Sequence, residues 1–196
     1  MTFNRKEFDI IKKALTSGIR KSAFALSELF DDLVEIDVSK IIVEKLLKAK
    51  EFLRGNYSKY TAVHQDFFGK LEGKTYIIFA NNAVKSLLNY LEKKESIEKD
   101  FTNDILLEIS NIITNNLMGA IVDFLGEKID YSLPEISVNK FSELKEREDY
   151  YVLIVNSVLK LKKKNLKINF LIIFSIKTFD IFKELFLKVI EKNGEK

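Results

Sequence analysis

Residues 102–134 read T-N-D-I-L-L-E-I-S-N-I-I-T-N-N-L-M-G-A-I-V-D-F-L-G-E-K-I-D-Y-S-L-P. Wound at ~3.6 residues per turn, Ile105, Ile109, Ile112, Ile113, Ala120 and Phe124 fall on one side of a helix. Asp104, Glu108, Asn111 and Asn115 fall on the other, within an arc of roughly 60°. The stretch therefore predicts a long amphipathic helix whose polar stripe points away from the core. Glu108 and Asn111 stand at i and i+3 on that stripe, close enough to touch one partner.

Outward from this helix, the chain repeats itself. A shift of 95 residues lays Asp9 on Asp104, Ala25 on Ala120, Leu29 on Phe124, Val63 on Val158 and Ile77-Ile78-Phe79 on Ile172-Ile173-Phe174. Two halves follow, about 1–95 and 96–196, and no Gly/Pro/Ser-rich linker separates them, so one domain spanning 1–196 is expected. Each half predicts a long helix (3–30 and 102–125) followed by a short strand (34–38 and 129–133). Two β-like runs come next, 57–68 with 75–80, and 150–161 with 167–175. The first pair is joined by G-K-L-E-G at 69–73. A closing helix ends each half, 82–94 and 178–192. Residues 40–53 have a helical period, and the stretch after Pro134 is less regular.

Composition narrows the function. The chain has 196 residues, 46% of them hydrophobic, enough for a sizeable core. A formal charge of +3 is too mild to imply nucleic acid. The basic run 160–167 reads as a hairpin turn kept soluble by charge. There is no cysteine and one histidine, His64, so neither a thiolate nucleophile nor a Cys- or His-rich metal site is expected. No N-terminal signal core is present, and no apolar run is read as approaching the ~20 residues that cross a bilayer. A cytoplasmic protein without membrane insertion is the expectation. The sixteen Phe and seven Tyr are read as core.

Asp104, Glu108, Asn111 and Pro134 spell D-x-x-x-E-x-x-N, then twenty-two residues, then the only proline of the chain. This pattern resembles the CheC/CheX/FliY phosphatases of chemotaxis, and CheC most among them. The resemblance extends from about residue 8 to 192, and includes F-F-G-K-L-E-G-K-T-Y-I-I-F at 67–79. It implies an α+β fold: a pseudo-twofold, duplicated CheC-like domain with two long amphipathic helices packed on a shared β-sheet. It also implies an enzyme, a hydrolase that removes the aspartyl phosphate of the response regulator CheY.

By the same resemblance Glu108 and Asn111 are the catalytic residues, Asp104 a docking or supporting residue, and Pro134 the motif proline. No cofactor or metal belongs to the chain itself, since Mg2+ and a lysine come with the phosphorylated partner. An asparagine amide is no general base, but it donates and accepts hydrogen bonds and can fix a water in line with phosphorus. Asn115 is read as a local contact. Projected back by 95, the motif becomes Asp9, Lys13, Thr16 and Ser39. Lysine has the wrong charge and threonine the wrong reach, so this first site is degenerate and one live site is expected. The alternative is a non-catalytic module that binds CheD or a response regulator. Because FliM and FliY carry further segments at both ends, a flagellar switch subunit is not expected.

Overall fold

The computed structural model describes residues 4–56, 59–91, 101–138, 150–161 and 164–194. Helix α1 (Arg5–Phe30) starts at Asn4, whose side chain accepts from the Glu7 amide while Glu7 reaches back to the Asn4 amide. That reciprocal pair satisfies two of the free N–H groups of the first turn. Ile11, Leu15, Ile19, Ser22, Leu26 and Phe30 form its buried face. Then come β1 (Val34–Lys45), α2 (Leu46–Asn56), β2 (Tyr60–Gly69), β3 (Gly73–Ala80) and α3 (Asn81–Leu91). The second half holds α4 (Phe101–Leu125), β4 (Ile129–Tyr131), β5 (Glu135–Val138), β6 (Tyr150–Leu161), β7 (Lys164–Ser175) and α5 (Ile176–Gly194). The architecture is α+β.

Among the described residues all strand pairings are antiparallel, and their seven strands form one sheet that runs β1-β6-β7-β3-β2-β4, with β5 also paired to β2. If β1 is matched to β4 plus β5, β2 to β6 and β3 to β7, the order reads the same from either edge. One face of the sheet carries α1, α3, α4 and α5 over a core that includes Phe67, Phe170, Phe174, Phe179, Phe182 and Phe186. On the other face α2 sets Leu46, Ala49 and Leu53 against Tyr76, Ile78, Val152, Ile154 and Leu171. Alternation along each strand assigns one side chain to each layer in turn.

Three local readings change. The strand expected at 34–38 continues to Lys45, and the helix expected over 40–53 begins only at Leu46. Ile41, Ile42 and Val43 pair with Val155, Ile154 and Leu153, so β-branched residues with a partner strand override the helical period. The strand after α4 is split: β4 ends at Tyr131 and β5 starts at Glu135, on either side of Pro134, which lacks the N–H a continuous ladder needs. In β1 the register shifts between Val38 and Lys40, at Ser39. The hairpins are not related by a uniform 95-residue shift. That shift would carry the pair Tyr60–Ala80 onto Val155–Ser175, whereas Ser175 faces Tyr150, so Val63 does not correspond to Val158.

Helix α4 also corrects the membrane reading. Its stretch Thr102–Leu125 is long and apolar enough to cross a bilayer, with a mean hydropathy of 1.4. Leu106, Ile109, Ile113, Leu117, Met118 and Ile121 are buried in the core instead, so the apolar surface is used against α1, α5 and the sheet. A helix apolar nearly all round is what such a central position requires.

Candidate functional site on the outer face of α4

The α4 residues opposite its core contacts are polar. Asp104, Glu108 and Asn115 are exposed and Asn111 is half-buried. Leu106, Ile109, Ser110 and Ile113 anchor the same two turns from beneath. A rigid, buried helix thus holds Glu108 and Asn111 one turn apart at the surface. Among the described residues no ion pair engages Asp104 or Glu108, and no other hydrogen bond occupies the Glu108 carboxylate. Asn115 Nδ2 donates to Asn111 Oδ1 at 3.0 Å. This contact orients the Asn111 amide and leaves one lone pair on Oδ1, and no hydrogen bond among the described residues occupies its Nδ2.

The remaining motif positions are separate. Pro134 is half-buried in the loop between β4 and β5, which is fastened to β2 by Ser132: its N–H donates to Asp66 O at 2.9 Å and its Oγ accepts from Asp66 N at 3.0 Å. On α1, Asp9 and Lys13 are exposed, and Thr16 Oγ1 donates to Lys12 O at 2.7 Å within its own helix. Ser39, at the register shift of β1, donates to Asn156 O at 3.2 Å. No acid–amide pair exists on α1. His64 stacks on Tyr76 at 5.4 Å and lies 3.6 Å from Glu135, away from α4.

Among the described residues no cluster of His, Cys, Asp or Glu could hold a metal ion. A cavity of about 410 Å³ opens on the α2 side of the sheet, lined by Leu46, Phe67, Phe68, Tyr150, Ile173 and the ion-paired Asp66 and Lys74. It lies across the sheet from the α4 stripe. Periodicity alone did not single out the exposed α1 residues Arg20, Lys21 and Phe24; a large aromatic on the polar side of an amphipathic helix was the available signal.

No protein-family model matches the sequence. Solved structures do resemble it. FliY from Thermotoga maritima aligns with a TM-score of 0.74 at 16% identity, covering 96% of this chain and 100% of that one. The chain has the fold of the CheC/CheX/FliY proteins. That fold is also seen in a FliG–FliM complex from H. pylori, at a TM-score of 0.67 and 11% identity over 90% of this chain and 98% of that one. A CheX–CheY–BeF3–Mg2+ complex from Borrelia burgdorferi aligns at 0.51 and 13% identity over 82% and 98%. These likenesses show the fold that the CheC/CheX/FliY resemblance implied and do not single out CheC.

Proposed function

We propose that this chain is a chemotaxis phosphatase that hydrolyses the aspartyl phosphate of a CheY-type response regulator, from the single site on α4. The observation that carries the reading is the exposed Glu108 carboxylate, unengaged by the described residues, one turn from an Asn111 amide braced by Asn115. A carboxylate and an oriented amide at the surface of a rigid helix suit insertion into another protein's active site. The CheX relative crystallised with CheY, a beryllium fluoride and magnesium lends the partner class.

In the complex, water attacks phosphorus, the bond from phosphorus to the aspartyl oxygen breaks, and inorganic phosphate and a free carboxylate leave. Asn111 holds that water by donating from Nδ2 and accepting at Oδ1, which removes rotational and translational entropy before the transition state. Glu108 pairs with the regulator's lysine and sets the register of α4, and Asp104 supports docking one turn earlier. A magnesium ion held by the regulator would neutralise charge on the phosphoryl group, and no residue of this chain is needed to bind it. The chain itself contributes position.

We assign this activity to one domain, 1–196, built of two repeats, and to the cytoplasm, where response regulators work. The repeat is supported by two left-handed helix ends 95 residues apart, at Asp31 and Gly126. A second reading, a non-catalytic module for CheD or a regulator, is favoured by the loss of the acid–amide pair on α1 and by the FliG–FliM likeness.

The deciding experiment is phosphate release from phosphorylated CheY with wild type and Asn111→Ala. Loss of most of the acceleration with nearly unchanged regulator affinity is expected, because water positioning matters at the transition state and little in the complex. Asn115→Ala should lower turnover several-fold by unbracing the amide. Full activity in Asn111→Ala would overturn the role given to Asn111, and no acceleration by wild type would leave the binding-module reading.

A further inference from the structure

Helices α1 and α4 pack side by side and antiparallel. Ile11 and Ala14 line one crevice with Ile121, Phe124 and Leu125, while further along α1 a Cβ on Gly18 would lie 2.9 Å from the Leu117 Cα. Six residues beyond Gly18 on α1, about 9 Å at helical rise, comes Phe24; six residues back from Leu117 on α4 comes Asn111. The two are level across the helix pair.

Phe24 points directly away from the α1 core face, which runs through Leu15, Ser22 and Leu26, and it is 68% exposed. Arg20 and Lys21 flank it, both exposed, and neither has an ion-pair partner among the described residues. Lys21 lies on the side of α1 turned toward α4. The 95-residue counterpart of Phe24 is Gly119, where an added Cβ would meet nothing within 4 Å. An apolar knob with two cations therefore stands on α1 where α4 presents a bare surface.

We infer that Phe24, Lys21 and Arg20 form a second docking element for the same phosphorylated receiver domain, with Phe24 as its apolar anchor; the choice of occupant rests on the phosphatase reading. A stable interface covers roughly 800 Å² per partner, a patch about 30 Å across. Packed helix axes are only about 8–10 Å apart, so a domain seated on Glu108 and Asn111 also covers the outer face of α1. A phosphorylated receiver is anionic at that end, and cations set beside the site speed its encounter and favour its register. Aromatic side chains, phenylalanine among them, and arginine are enriched at the cores of protein interfaces. The degenerate half of the molecule keeps a binding role by this route, with no chemistry of its own.

The test is the affinity of a CheY-type receiver domain, held in its activated form by Mg2+ and beryllium fluoride, for wild type, Phe24→Ala, Lys21→Glu and the control Leu47→Ala. Leu47 is 49% exposed on α2, on the far face of the sheet. Phe24→Ala should weaken binding about tenfold and raise KM similarly at unchanged kcat, with the thermal midpoint unmoved. Lys21→Glu should weaken binding at low salt and much less at high salt. Leu47→Ala should bind as wild type does. Wild-type affinity in both Phe24→Ala and Lys21→Glu overturns the docking element, while loss of turnover in Asn111→Ala keeps the catalytic reading separate from it. Full turnover in Asn111→Ala with weakened binding in Phe24→Ala sinks the Asn111 mechanism and retains the docking surface; no turnover by wild type with weakened binding in Phe24→Ala sinks the phosphatase and retains it too. No binding by wild type overturns both.

Discussion

Asp31 and Gly126 end the two long helices in the same left-handed conformation, at φ of 47° and 69°. Around each, the same two hydrogen bonds close the last turn: Asp31 N to Glu28 O and Asp32 N to Ser27 O, then Gly126 N to Asp123 O and Glu127 N to Val122 O. Left-handed backbone costs a residue with a Cβ roughly 1 kcal/mol or more, and glycine nothing. Gly126→Ala should therefore destabilise by about 1 kcal/mol in urea unfolding, and Asp31→Gly should gain up to about that much.

At Gly18 the backbones of α1 and α4 come too close to leave room for a Cβ. A Cβ there would lie 2.6 Å from Asn116 O and 2.9 Å from Leu117 Cα, both backbone atoms that cannot rotate aside. Alanine ordinarily gains a helix about 1 kcal/mol over glycine. Here the helices must part, at about 1–3 kcal/mol. Gly18→Ala should lower the unfolding midpoint in a denaturant titration; an increase would mean the pair is looser than described.

Charge at the two equivalent helix positions should matter unequally. In the docking proposed above, Glu108→Lys would set a cation against the regulator's lysine; it should weaken regulator binding at least tenfold, with the fold's stability changed by no more than about 0.5 kcal/mol. Lys13→Ala, on α1, should leave kcat unchanged. Both are read from phosphate release and regulator affinity measured in parallel. A large drop in kcat for Lys13→Ala would show that α1 still takes part in the chemistry.

Alkaline unfolding should centre on three tyrosines. Burial pushes Tyr76, Tyr90 and Tyr131 up to about 12 from an ordinary 10, reinforced for Tyr90 by its hydrogen bond to Asp32 at 2.7 Å. The folded state thus favours the protonated phenol. That contribution is whole below about pH 10 and is lost as pH rises through 12. Stability followed by denaturant unfolding from pH 9 to 12 should fall over the upper part of that range. Tyr90→Phe should flatten part of the fall and cost about 1 kcal/mol at neutral pH through the lost hydrogen bond.

Much of this molecule was legible in the chain itself. The polar stripe of Asp104, Glu108, Asn111 and Asn115 depends only on spacing along one helix, and the structure keeps three of the four exposed with Asn111 half-buried beside Asn115. Strand β6 occupies 150–161, where the sequence reads as a β-like run. The stripe and the strand are decided within a few turns of backbone, where period and capping act without a distant partner. The α+β class was implied by the resemblance to the CheC/CheX/FliY proteins, and the structure has it.

Tertiary structure decided the rest. The residues of β1 beyond Val38 are strand because β6, more than a hundred residues later, offers them a ladder; without it their spacing suits a helix. The hairpin register set Tyr150 against Ser175 and broke the uniform repeat, since pairing follows turn length and core contact and not sequence offset. Periodicity by itself sets Phe24 on the polar side of α1, opposite Leu15, Ser22 and Leu26. Only the antiparallel packing of α1 on α4 brings it level with Asn111, because the alignment of two helices is settled by the contacts between them.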